Sequence, residues 1–118
     1  GKAVTMTTSG LDVLRFNAFG TGSVEITVFR RDTVNPAGSS ISKLYIGFGG
    51  SGNNITSATL VQEDKVTRGS IHAFTYSISD NNTYATLTAT GNDNGGESQT
   101  LIFYIVYAGG NNRTISVL

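Results

Sequence analysis

Along most of the chain apolar and polar residues alternate with period two, and the 3.6-residue spacing of an amphipathic helix is scarce. Residues 11–19 set Leu14, Phe16 and Ala18 against Val13, Arg15 and Asn17, and residues 23–30 set Val24, Ile26 and Val28 against Glu25, Thr27 and Phe29. Residues 40–48 gather Leu44, Ile46 and Phe48 on one side. Residues 70–79 alternate His72, Phe74, Tyr76 and Ile78 with Ile71, Ala73, Thr75 and Ser77. In 83–90, Ala85, Leu87 and Ala89 make a core side, and Tyr84, Thr86, Thr88 and Thr90 a solvent side. Each pattern predicts a strand, because successive strand side chains point to opposite faces.

Turn clusters separate these runs at Gly20–Gly22, Asn35–Gly38, Gly49–Asn54, Asp80–Asn82, Gly91–Gly96 and Gly109–Asn112. The Asp80-Asn81-Asn82 break between two alternating runs predicts a hairpin. With 3–8, 55–62, 99–108 and 113–118 added, the chain reads as about nine short strands. That spacing predicts an all-β, antiparallel, jelly-roll-like β-sandwich in one domain over 1–118, with no internal repeat or linker. The least determined stretch is 57–68, where Leu60, Val61, Glu63, Asp64 and Lys65 also fit a helical turn.

Leu101-Ile102-Phe103-Tyr104-Ile105-Val106-Tyr107 departs from the alternation by being apolar on both faces. An antiparallel sandwich strand keeps one face wet, so this one requires cover on both sides. A loop over the outer face is one cover and a neighbouring subunit is the other. The final Ile115, Val117 and Leu118 form a second apolar edge. Phe103, Tyr104, Ile105, Tyr107 and Leu118 are the candidate subunit contacts, without an assignment of either strand face to core or interface.

Composition narrows the function classes. Eight basic and eight acidic residues cancel, and charged residues are 14% of the chain, so the basic stripe that nucleic acid requires is absent. No apolar run reaches the roughly 18 residues of a membrane span, which excludes helical membrane insertion. There is no Cys, hence no disulfide framework, thiolate nucleophile or zinc knot, as fits a protein working outside cells. The opening Gly-Lys-Ala has neither Met nor a leader pattern, and the chain reads as a fragment of a longer protein.

Catalysis is poorly supported. His72 is the single His and shares its strand side with Phe74 and Tyr76, a core or interface position rather than that of a general base. Glu63 and Asp64 are adjacent and point to opposite strand faces, the wrong geometry for paired carboxylates. Gly47-Phe48-Gly49-Gly50-Ser51-Gly52 matches G-x-G-x-x-G, but the turn and strand that follow replace the helix a dinucleotide requires. The oxygens of Asn92–Glu97 suit calcium but lack EF-hand spacing and read as turn residues. No catalytic residue, metal ligand or cofactor is expected. Sequons at Asn54, Asn81 and Asn112 matter only in a eukaryotic secretory host. For sugar binding there is no Trp, and the aromatic candidates are Tyr45, Tyr84, Tyr104 and Tyr107. Tyr84 stands out because it shares a side with three threonines, and the Arg30-Arg31-Asp32 run offers cations for an anionic sugar.

The layout from Ile71–Ile78 through the Asp80–Asn82 turn, Thr83–Thr90, the Gly91–Gly96 loop, Leu101–Tyr107 and Thr114–Leu118 resembles the C-terminal domains of bacteriophage tailspikes and tail fibres. The match covers roughly the second half of the chain and is one of architecture and composition. The resemblance implies a homotrimer at the distal end of a virion tail fibre, extracellular and non-catalytic. Its implied uses are trimerisation and attachment to host cell-surface polysaccharide, and it transfers no binding residue. The alternative is a monomeric carbohydrate-binding module of a secreted bacterial protein, weakened by the missing Trp. A capsid jelly roll would bring a basic arm, which this sequence lacks.

Overall fold

The computed structural model describes residues 2–5, 10–32, 38–69, 74–91, 98–109 and 113–118. They form nine strands in the expected order: β1 (Lys2–Thr5), β2 (Leu11–Asn17), β3 (Gly22–Asp32), β4 (Gly38–Gly49), β5 (Ser57–Gly69), β6 (Thr75–Asn81), β7 (Tyr84–Thr90), β8 (Ser98–Gly109) and β9 (Thr114–Val117). The stretch that also fitted a helical turn is strand throughout, because β5 is laddered to β4 from Ser57 to Gly69 and tertiary pairing outweighs local propensity. His72 and the Asn92–Glu97 loop lie outside the described residues.

Two antiparallel sheets result, a five-stranded one ordered β1-β8-β3-β4-β5 and a four-stranded one ordered β6-β7-β2-β9. The pairings of β1 with β8 and of β2 with β7 and β9 join early strands to late ones, the nested connectivity of a jelly roll, while β3-β4-β5 is a plain meander. Inward files of both sheets supply the core: Val24, Ile26 and Val28 of β3 and Leu44, Ile46 and Phe48 of β4 oppose Leu14 and Phe16 of β2 and Ala85, Leu87 and Ala89 of β7. A bulge between Asp12 and Leu14 breaks the alternation of β2 and buries Val13 and Leu14 together.

The ends of the sandwich are closed by different chemistry. At one end Phe16, Phe19 and Phe48 meet with ring centroids 5.1–5.7 Å apart, above buried Ile55. Ala18, at φ 56°, turns the chain so that Phe19 enters this cluster, and its N–H donates to the Thr83 carbonyl at 3.0 Å. Ile55 donates its N–H to Asn82, tying the β4–β5 loop to the β6–β7 hairpin, where Asn82 takes the left-handed conformation that Asn tolerates.

At the other end the tie is polar. Gln62 of β5 donates its amide to the Phe74 carbonyl at 2.7 Å and accepts the Tyr76 N–H at 2.8 Å. One side-chain amide thus imitates a strand partner and fastens β6 of one sheet to β5 of the other. The β4–β5 ladder shifts register between Ile41 and Ser42, which turns Asp64 inward to accept Ser42 Oγ at 2.7 Å and Gln62 Nε2 at 2.9 Å. Gly91 ends β7 directly over the Phe74 ring, where a Cβ would collide with the ring carbons.

Gln62→Ala leaves the Tyr76 N–H and Phe74 C=O without partners and is expected to cost about 2 kcal/mol in urea unfolding. Gly91→Ala must displace the Phe74 ring and is expected to cost about 1–3 kcal/mol. Gly47→Ala, whose Cβ would meet nothing within 4 Å, is the control and should stay within about 0.5 kcal/mol of wild type.

Candidate functional site

The pleat that builds the core also builds two outward faces of contrasting chemistry. On the five-stranded sheet the outward file of β8 is Ile102, Tyr104 and Val106, in register with Phe29, Thr27 and Glu25 of β3. Tyr104 is 63% exposed and Val106 69%, with Phe29 and Ile102 also open to solvent. The Phe29 and Tyr104 rings meet edge to face at 5.5 Å. Across Glu25 the face continues to Tyr45 and to Val61, 59% exposed. Two shallow hollows mark it, one of about 550 Å³ between Tyr45, Val61 and Val106, the other of about 430 Å³ between Thr27, Phe29, Ile102 and Tyr104. The polar interruption is the Lys43–Glu25 ion pair at 2.7 Å, and the Glu25 carboxylate holds the Lys43 ammonium above its ordinary pKa. Contiguous apolar surface on an outer sheet face is unusual for a monomer and typical of a contact surface.

The four-stranded sheet is the reverse. Its outward positions are Asp12, Arg15 and Asn17 of β2, Tyr84, Thr86 and Thr88 of β7, Ser77 and Ser79 of β6, and Thr114 and Ser116 of β9. Arg15 lies with its guanidinium carbon 4.5 Å from the Tyr84 ring centroid, Asn81 donates to the Tyr84 hydroxyl at 2.5 Å, and Thr88 donates to Asp12 at 2.8 Å.

The candidates from the sequence are distributed as follows. Tyr84 is half-buried, with the Arg15 guanidinium over one face of its ring. Arg30 and Arg31 point to opposite faces and do not form one cationic site. Arg31 is exposed, whereas Arg30 is 2% exposed, its guanidinium carbon 4.4 Å from the Phe74 ring centroid. Phe103 and Ile105 turn inward in register with Val28 and Ile26 and pack on the core. Tyr107 is also on the inward side, its ring against Phe19 at 6.1 Å and under Arg113 at 4.6 Å, though nearly half of it is exposed. Tyr104 faces outward, and Leu118 is exposed while its N–H donates to the Val13 carbonyl at 3.1 Å. Sequence reasoning did not single out Phe29, Val61 or Arg15. The available signal was an aromatic in the Glu25–Thr27 polar file, whereas the Arg15–Tyr84 stack required the β2–β7 register.

The glycine-rich loop after β4 closes on itself, with Asn54 N–H on the Ser51 carbonyl at 3.0 Å and Thr56 N–H on the Gly49 carbonyl at 2.8 Å, and it leads into β5. Among the described residues no group of three or more His, Cys, Asp or Glu is placed to hold a metal ion.

No protein-family model matches the chain, and no curated protein sequence does. Among solved structures the chain is similar to the tailspike protein of Acinetobacter baumannii phage AM24, with a TM-score of 0.47 and 10% identity. That likeness covers 98% of this chain and 27% of the other, and it assigns no residue here a role.

The Tyr76 hydroxyl sits in the polar end of the sandwich. Burial pushes its pKa up strongly, nearby Arg30 pulls it down and Asp64 adds to the rise. The folded state therefore keeps a proton that the unfolded chain releases near pH 10. Stability from this residue is intact below about pH 10 and is lost as pH rises above it, by up to about 1.4 kcal/mol per pH unit. Urea midpoints measured at about pH 9 and pH 11 should fall further for wild type than for Tyr76→Phe, which lacks the titrating group.

Proposed function

We propose that this chain is a non-catalytic assembly and host-attachment domain of a bacteriophage tail fibre or tailspike, working as a homotrimer outside the cell. The tail setting comes from the resemblance of residues 71–118 to the C-terminal domains of such proteins. The observation that supports assembly is the outer face of the five-stranded sheet, where Phe29, Tyr45, Val61, Ile102, Tyr104 and Val106 form one apolar surface. In an assembly, that face and the core file of β8 account for a strand that is apolar on both sides. Covering the face with further copies removes the apolar surface from water at about 25 cal/mol per Å² and slows dissociation and unfolding. Attachment then falls to surfaces left outside the contact, with host polysaccharide as the ligand class.

Light scattering after size exclusion tests this reading. Wild type is expected at three times the 12.4 kDa of one chain. The double variant Tyr104→Glu with Val106→Glu is expected at the mass of one chain, with unchanged circular dichroism. A wild-type monomer overturns the trimer and favours a sugar-binding module that uses exposed Tyr45 and Tyr104. A trimer that the double variant leaves intact moves the contact to another face.

A further inference from the structure

We propose that the outer face of the four-stranded sheet carries, centred on Arg15, a receptor for a carboxylated saccharide. Among the described residues the ion pairs are Lys43–Glu25 and Lys65–Glu63, both on the other sheet, so Arg15 has no carboxylate partner. Its Nε is buried and donates to nothing. The nearest acid on its strand face, Asp12, is engaged by the Thr88 hydroxyl. With Nε turned away from solvent, the outer Nη edge of the guanidinium is the part that can grip a planar anion through two parallel N–H bonds.

The cation is also held in place. Tyr84 lies under the guanidinium at 4.5 Å, and Asn81 fixes Tyr84 through its hydroxyl at 2.5 Å. A restrained Arg loses less freedom on binding than an extended surface side chain. Tyr84 and Asn81 are therefore positioning residues, and Arg15 is the group that meets the ligand.

The surroundings select the ligand class. Arg15 is flanked in register by exposed Ser116 on β9 and by Thr86 on β7, which is itself buried, and Asn17, the next outward residue of β2, pairs with Tyr84 and exposed Thr114. Ser79 extends the hydroxyl row past Thr86, with strands about 4.8 Å apart. Hydroxyls and amides around one cation match a ligand rich in hydroxyls with an isolated carboxylate. A polyanion such as nucleic acid calls for many cations, and an apolar peptide calls for apolar side chains at outward positions that Thr, Ser and Asn occupy here. The inference rests on the attachment reading only for its choice of a saccharide. It uses the sheet opposite the proposed subunit contact, so both surfaces can operate at once.

The test uses the intact protein with two probes: an oligosaccharide of glucuronic acid, and the same oligosaccharide with its carboxylates reduced to alcohols. Amide shifts of Arg15, Thr86 and Ser116, together with the Arg15 Nε–H signal, are followed by NMR during titration. The acidic probe is expected to move these signals and the neutral probe to bind at least about tenfold more weakly. Arg15→Gln should lower affinity for the acidic probe about tenfold or more, and Arg15→Lys should fall between because it keeps charge but loses the fork. Neither variant should alter the mass in solution, which separates this site from the assembly reading. Equal binding of both probes, shifts confined to another face, or wild-type affinity in Arg15→Gln overturns the site. Equal displacement by acetate or inorganic phosphate at matched concentration reduces it to a simple anion site and overturns the saccharide assignment.

Discussion

Every strand here has two faces, and the molecule has one interior. That constraint decides where each apolar residue ends up. Once Val28, Ile26 and Val24 of β3 point inward, their β8 partners Phe103, Ile105 and Tyr107 must do the same, and Ile102, Tyr104 and Val106 are turned outward without further choice. A slip of one residue would exchange the two files, placing Glu25, Thr27 and Lys43 in the core, so the polar residues of β3 and β4 lock the register that exposes the apolar ones. The exposed surface on the five-stranded sheet is a consequence of this lock acting on a strand with no polar side.

The interior is not uniform. Aromatic rings close one end, whereas the other end gathers Arg30, Ser40, Ser42, Gln62, Asp64 and Tyr76. Polar groups held away from water require partners: Asp64 supplies one to Ser42 within its own sheet, and Gln62 reaches across the gap between sheets to Phe74 and Tyr76. Hydrophobic burial gives the sandwich its stability, and this cluster makes one pairing of the two sheets distinct from its neighbours, since Gln62 reaches both Phe74 and Tyr76 in one register alone.

The two outward faces divide the proposed work between them. An apolar sheet face suits contact with identical copies, and a hydroxyl-rich face with one restrained cation suits a sugar in water. The contrast arises from composition on strands of the same fold. β7 carries Tyr84 followed by threonines at its outward positions where β8 carries Ile, Tyr and Val.

Period-two alternation and turn chemistry were sufficient to read the sandwich class and about nine strands along the chain, because face alternation is a local property of backbone geometry. They also identified 101–107 as a strand that is apolar on both faces. Local pattern stopped short wherever the answer depended on a partner strand. Which side of β8 faced the core followed from its pairing with β3, and the strand character of 57–69 followed from its ladder to β4. Arg30, which reads as one half of a surface cation pair, was carried inside because residues two apart on β3 share a face and its file continues from Val28. Arg15 and Tyr84 are 69 positions apart in sequence, and the β2–β7 pairing brings their side chains together. The sequence by itself determined the elements and their two-sidedness. Only the tertiary structure decided which side met the core, because that choice is made between strands and not within them.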